Sequence, residues 1–515
     1  MGNPVTSWLI LIACILVGLL NEVSASILNL SLPDAARDVG ASPPIAQFIL
    51  LVGKLTLGAL LLAGGGLGDR FGQKRTLLVG TALVAIAAVL SIYARSAGML
   101  GGARILDGIG NALVSPLALA ICISVFPEQM RARIIGIFLG VSGLGIAIGP
   151  LIAGVLIQIG GWRVGFFAPL GLAVVSGVAI AVLVPRDAMR AERLSLDTVG
   201  MVLCVIGLTA LVLGFVQAGR EGWLSATTLV PGLGGLACLA GFAWWEITRA
   251  RNPLLEPALL RSRNVIAALA AALLAAMVLN GTVIPLLYFF QRIHGDSPVM
   301  AVLRLLPLIV TAMAVAPVAG GLAERYGRRL VMTCGLVSIA VGSGVMAALT
   351  PQTGYGQMLV ALVLIGGGVM AVLTPAADLV MATATGERSG AAAALNSAIL
   401  QVGGAIGIGV ITSLFLSQGL HSFFERMTAL GYSREQIQEP ARRLREIVRE
   451  TALHQVPQLP DIPPQLQRDI LDAYSQAFAT GVARSFMLAA VLAVLAIFIV
   501  LFGMRRQVAT VRQPS

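Results

Sequence analysis

Four ionisable side chains interrupt long apolar runs in the first part of this chain: Glu22, Lys54, Arg104 and Asp107. On insertion scales an ionisable residue deep in a hydrophobic span costs about 2.5–3.5 kcal/mol, so each one needs a reason to be there. Two acids and two bases sum to zero, and as a hydrogen-bonded network they could enter a bilayer together. The chemistry open to such a set is proton exchange, because a buried carboxyl keeps or releases its proton according to where a neighbouring cation stands. With a rise of about 1.5 Å per residue, Glu22 lies roughly 15 Å from the outer end of its run, Lys54 and Asp107 roughly 12 Å and Arg104 about 8 Å. The spacing therefore predicts that all four meet in one layer. Arg104, Asp107, Gly108 and Asn111 follow i, i+3, i+4, i+7 and share a stripe, as do Glu22, Ser26 and Asn29 on the first run. Two readings follow. Glu22–Lys54 and Arg104–Asp107 are permanent ion pairs that fasten helices, or one carboxyl, Glu22 ahead of Asp107, exchanges protons and so biases a two-state equilibrium.

The elements that must position these residues are membrane helices. Of 515 residues, 57% are hydrophobic and 11% charged, with a mean hydropathy of +0.91. Soluble domains average about 45–50% apolar and about 25% charged. That difference excludes a disordered, collagen-like or disulfide-built chain and an ordinary cytosolic enzyme, and it predicts an all-α polytopic membrane protein. Fourteen apolar runs are expected, at about 8–32, 46–68, 76–96, 99–125, 132–157, 163–184, 198–217, 226–247, 264–290, 298–322, 330–349, 357–380, 390–416 and 481–503. If the N-terminus is cytoplasmic, nineteen Lys and Arg fall in inside segments and five in short outside ones. The positive-inside rule then places both termini in the cytoplasm of a cell (inner) membrane. The same rule accounts for the net charge of +11 without nucleic acid. No signal-peptide n-region precedes the first run, which is expected to remain as an anchor.

Other chemistries find little support. Cys14, Cys122, Cys204, Cys238 and Cys334 lie in apolar runs without CxxC spacing, and His294, His421 and His454 are scattered. No metal set, nucleophile motif or nucleotide-binding loop is visible, so neither an enzyme nor an ATP-driven pump is expected. No cofactor is expected beyond a proton gradient as driving force. Residues 417–480, within the C-terminal unit, are expected to form a long polar and helical extracytoplasmic loop. Helical periodicity over Ser433–Leu453 (Ile437, Leu444, Ile447, Val448) is followed by breaks at Pro457, Pro460, Pro463 and Pro464. A small cap, a gating lid or a docking surface for an envelope partner all fit this loop, and the oligomeric state stays open.

One pattern occurs twice. Gly65-Gly66-Leu67-Gly68-Asp69-Arg70-Phe71-Gly72-Gln73-Lys74-Arg75 follows the second run, and Gly320-Gly321-Leu322-Ala323-Glu324-Arg325-Tyr326-Gly327-Arg328-Arg329 follows the tenth. The glycines permit a tight turn, the acid can accept hydrogen bonds at a helix end, and the bases anchor the turn at an anionic leaflet. Duplication predicts an N-terminal six-helix bundle over 1–196, an inserted helix pair and linker over 197–263, and a C-terminal six-helix bundle over 264–515. Internal repeats of this kind mark transporters that alternate access around a central site.

The duplicated loop resembles the signature of the major facilitator superfamily. Arg104 to Ala112 is similar to that family's R-x-x-Q-G-x-G-x-A motif, and Gly145, Gly149, Pro150 and Gly154 resemble its G-x-x-x-G-P-x-x-x-G antiporter motif. Asn29 to Pro33, Gly222-Trp223 and Pro253-Leu254-Leu255 resemble the fourteen-span drug:proton antiporters of the EmrB/QacA-like group. The resemblance implies proton-coupled export of drugs by alternating access. It also implies gating by Gly65, Asp69, Arg70, Gly72, Gly145, Gly149, Pro150, Gly320, Glu324, Arg325 and Gly327. The chain departs from the family in three places. Ser24 stands where the first-span acid is usual, nine residues before Pro33, and Glu22 is rotated roughly 200° from it. Asp107 replaces the usual Gln, and Lys54 is unexpected.

The second half carries almost no charge within its runs. Asn280, Gln291, Asn396 and Gln401, with Met277 and Tyr288, join Ser26, Asn29 and Asn111 as candidates to line a substrate cavity. Few unpaired acids there point away from dications and toward lipophilic or amphipathic small molecules. Export of a cell-made lipid, glycolipid or metabolite is the alternative, and a non-transporting receptor or scaffold is the alternative of another class.

Overall fold

The computed structural model describes residues 4–143, 145–185, 197–249, 259, 261–384, 389–433, 436–437, 439–440, 444, 459 and 462–505. Pro253, Leu254, Leu255, Ile447, Val448, Pro457 and Pro460 lie outside them. The described residues form fifteen α-helices and one 3-10 turn at Glu128–Met130, with no strand among them. In chain order the helices are α1 (Pro4–Asp38), α2 (Pro43–Phe71), α3 (Gln73–Ile92), α4 (Ala97–Ser124), α5 (Arg131–Gly143), α6 (Gly145–Gly165), α7 (Phe167–Leu183), α8 (Thr198–Glu221) and α9 (Ala226–Thr248). They continue as α10 (Arg263–Arg292), α11 (Pro298–Tyr326), α12 (Arg328–Ala347), α13 (Tyr355–Thr383), α14 (Ser389–Ala429) and α15 (Pro464–Gly503).

Local chemistry sets many of these boundaries. Ser96, Ser262 and Ser297 accept from the amides of Met99, Val265 and Met300, which caps α4, α10 and α11. Proline opens α2, α11 and α15, where a missing amide costs nothing. Gly72 and Gly327 take φ of 102° and 89°, a left-handed backbone, and so turn α2 into α3 and α11 into α12. Among the described residues, eleven helices are long and apolar enough to cross a membrane, twelve if α2 is counted across its 50° bend between Phe48–Gly58 and Ala63–Phe71. Phe167–Leu183 and Val202–Leu211 are shorter apolar helices. The fifth expected run is divided into α5 and α6, and α6 departs from helical angles at Gly160 and Gly161.

Small residues bring the helices together at backbone distance. A Cβ on Gly64 of α2 would overlap the Ala112 carbonyl of α4, and one on Gly407 of α14 would overlap the Met277 carbonyl of α10. In lipid, where tails are as apolar as side chains, such close packing is a main source of helix association. α8 and α9 pack on each other, with Gly235 against the Leu211 backbone, and α8 also lies along both α2 and α14. Trp223 at the end of this pair donates to Ser413 of α14 at 3.2 Å.

Most of the described residues over 417–480 are helical. α14 has 41 residues and α15 has 40, roughly 60 Å each, against about 30 Å of hydrocarbon core. Hydropathy falls past residue 416 but the apolar face continues. Phe423, Met427, Ile470, Ala473, Tyr474 and Ala477 are buried together, with Ile437, Leu444 and Ile462 packed among them. Phe423 stacks on Tyr474 with centroids 4.5 Å apart, and the Tyr432 hydroxyl donates to Asp469 at 2.7 Å. The two helix extensions thus hold one another in a cap with its own core.

Removing that stacked ring tests the cap. Truncating a buried Phe costs about 3–5 kcal/mol, so Phe423→Ala should raise amide hydrogen exchange across 420–429 and 466–477. Unchanged protection there would contradict a cohesive cap.

Candidate functional site

The four charges fall into three places. Arg104 and Asp107 are both buried on α4, and Arg104 Nη1 lies 3.1 Å from Asp107 Oδ2. Ser24 of α1 joins them, accepting from Arg104 Nη1 at 3.0 Å and donating to Asp107 Oδ1 at 3.1 Å. Gly53 of α2 makes room: a Cβ there would lie 3.1 Å from the Arg104 carbonyl oxygen and 3.4 Å from Nη2. Asn111 donates to the Asp107 carbonyl at 3.0 Å, while its own Oδ1 and Arg104 Nε have no partner among the described residues. A buried polar group without a hydrogen bond is costly, so both atoms remain available to a further partner.

Glu22 belongs to another interface. Its Cβ would be 2.7 Å from a Cβ on Gly145 of α6, and its Oε1 accepts from Asn21 at 2.9 Å. Ser26, one turn on, bonds the Glu22 carbonyl at 2.7 Å and faces Gly149. Lys54 is exposed and has no carboxylate within 4 Å among the described residues. The single layer of four charges is therefore corrected. Depth along the helix was the wrong coordinate alone, because two residues apart on α1 is more than half a turn around its axis. Ser24, not Glu22, faces α4.

At the end that carries the duplicated loops the two halves are in contact. Asp69 accepts from the Gly390 and Ala391 amides at 3.0 and 2.9 Å, so it caps the start of α14, and Gln73 bonds both Asp69 and Ser389. The positive end of a helix favours such a carboxylate. Gly65 packs against Gly390 and Ala394, and the corresponding Gly320 against Ala132 at the start of α5. Gly136 of α5 meets the Ala316–Pro317 backbone of α11. Lys74 donates to the Ala181 and Val184 carbonyls at the end of α7, and Arg329 to that of Leu501 near the end of α15. The repeat is not complete, since Glu324 and Arg325 are exposed. Arg328 instead holds the buried Asp378 of α13 through two contacts of 2.7 and 2.6 Å.

Gly58 has open space where a side chain would stand, and Gln401 and Asn29 are exposed. The other cavity candidates are dispersed. Met277 and Asn396 are buried, Asn280 bonds its own helix at Ala276, Gln291 is half-buried, and Tyr288 stacks on Phe415 at 6.2 Å. Arg304 is held at the far end by Asp296 at 2.9 Å and His294 at 2.7 Å.

Comparison with known proteins gives concordant results. The Major Facilitator Superfamily model matches residues 14–408. A tetracenomycin C resistance and export protein of Streptomyces glaucescens is 30% identical over 504 residues, covering 97% of this chain and 92% of the relative. The methyl viologen resistance protein SmvA of Salmonella typhimurium is 28% identical, covering 92% and 93%. The crystal structure of the human organic anion transporter MFSD10 superposes with a TM-score of 0.59 at 14% identity, covering 96% and 100%, a likeness of fold alone.

The asymmetry between the two loops is open to measurement. Loss of a helix cap costs about 1 kcal/mol, so Asp69→Ala should speed exchange of the Gly390 and Ala391 amides about fivefold. Glu324→Ala should leave the first turn of α5 unchanged. Equal effects of the two substitutions would contradict the geometry.

Proposed function

The chain belongs to the major facilitator superfamily, and from that premise we propose a proton-coupled exporter of lipophilic or amphipathic small molecules that works by alternating access. It is a multi-pass membrane transporter and not an enzyme. Relatives named for resistance to or export of tetracenomycin C, puromycin and methyl viologen support drug efflux. We read the topology as fourteen spans, taking α5 with α6 as one and adding the two shorter apolar helices, with both termini in the cytoplasm. On that topology the packed end held by Asp69 is cytoplasmic, and the cavity opens outward.

The observation that carries proton coupling is the Ser24–Arg104–Asp107 cluster. In the resembling family the acid stands on the first span. Here the first span offers a serine, and the acid stands one turn from the arginine on α4. Protonating Asp107 would remove the charge that holds Arg104 and free the guanidinium to move. α1, α2 and α4 meet at this cluster, so that movement can alter how the N-terminal helices sit against the second half. Glu22, turned toward Gly145, acts in this reading at the α1–α6 seam, which the antiporter motif lines with glycine.

A second reading concerns the cargo. The cap built by α14 and α15 has its own core, and export of an endogenous lipid or metabolite to an envelope partner would use such a surface.

Proteoliposomes with an imposed pH gradient separate these roles. Asp107→Asn should cut proton-driven transport at least tenfold, and the exchange Ser24→Asp with Asp107→Gln should restore a substantial part of it. If Asp107→Asn keeps wild-type coupling while Glu22→Gln abolishes it, the assignment to Asp107 is wrong.

A further inference from the structure

Lys54 is the one membrane-embedded charge of the first half that the proposed mechanism does not use. It lies eleven residues past Pro43, the first residue of α2, or roughly 16 Å along the helix. Gly53 and Gly64 both face α4 on either side of the bend, against Arg104 and Ala112, so Lys54 and Gly65, each one residue further on, lie on the same side of α2, where Gly65 touches Gly390 and Ala394 of α14. That side therefore points at the second half of the protein rather than at lipid. Gly58, one turn further on the same side, faces open space. On α14, Gln401 is seven residues past Ala394 and eleven past Gly390, so it shares their α2-facing stripe, and it is exposed. An exposed ammonium on α2 and an exposed amide on α14 thus stand on the sides of these helices that meet at Gly65 and Gly390.

The charge balance there is positive. Asp107 is already engaged by Arg104 and Ser24, and Glu22 is turned to Asn21 and α6. Asp378 is buried and held by Arg328 near the opposite end. Arg104 itself lies against Gly53, the residue beside Lys54. A lysine that only fastened helices would be buried against an acid, and Lys54 is exposed and has no ion-pair partner among the described residues. An ammonium in a narrowing cavity loses hydration and calls for an anion. A second cation brought there would be repelled at short range.

Resting on the exporter reading, we infer that Lys54 is the counter-charge for an acidic group on the cargo, which makes the cargo class organic anions with an apolar body. The acid pairs with the Lys54 ammonium, Gln401 adds a neutral hydrogen bond, and the apolar body lies along the surrounding helices. Lys54 then sets charge preference, while the Ser24–Arg104–Asp107 cluster handles the proton.

The test compares two dyes in the same proteoliposomes under an imposed pH gradient: the anion 8-anilinonaphthalene-1-sulfonate and the cation rhodamine 6G. Wild-type protein is expected to move the anion. Lys54→Gln should lower the ratio of anion flux to cation flux at least tenfold, and Lys54→Arg should restore it. A wild type that moves only rhodamine 6G, or a Lys54→Gln variant with the wild-type ratio, overturns the inference and leaves the exporter reading standing. A wild type that moves neither dye overturns the exporter reading and the inference together.

Discussion

A charge in hydrocarbon is tolerated only where something offsets its lost hydration, and the arrangement of this protein's first half follows from that constraint. Arg104 and Asp107 satisfy it on a single helix, one turn apart, with Ser24 closing the network from α1 and Gly53 yielding the space. Because the arginine is stabilised by an acid on its own helix, the cluster does not need a charged residue on α1. It holds α1 against α4 through a hydroxyl, a weaker link than an ion pair and one that a moving guanidinium can break.

The same economy appears at the end where the halves meet. Glycine in the duplicated loop allows backbone contact across the interface at Gly65 and at Gly320. Only one copy adds a carboxylate cap, Asp69 on α14. In the other copy the basic residue after the turn holds Asp378 inside its own half. A junction made of glycine contacts and one capped helix can be closed or opened without burying a new charge, which suits a carrier that must alternate. The lysine on α2 stands outside this closed zone, on the stripe that would be covered if the outer ends came together.

Much of this was legible in residue patterns. Apolar runs located the helices, because a bilayer demands long uninterrupted ones. The repeated loop located the pseudo-symmetric contacts, because its glycines have a backbone reason to be there. What depth could not convey was azimuth. Glu22 and Ser24 differ by 3 Å in height but face opposite neighbours, so a reading by depth gathered four charges where the fold gathers two and a serine. The signal for Ser24 was present in its spacing from Pro33, and pattern matching favoured it over Glu22. For the cap, residue spacing says more than average polarity. Hydropathy drops past 416 while the i, i+3, i+4 spacing of Phe423 and Met427 persists, and average polarity hides a helix whose apolar face packs outside the membrane.

If Asp107 carries the exchanged proton, cargo binding must release that proton from the protein. Purified protein in weakly buffered detergent would be mixed with a transported dye at a series of pH values and followed with a pH indicator. The account predicts about one proton released per chain by the wild type and none by Asp107→Asn. An Asp107→Asn protein that still binds the dye and releases as many protons as the wild type would contradict it.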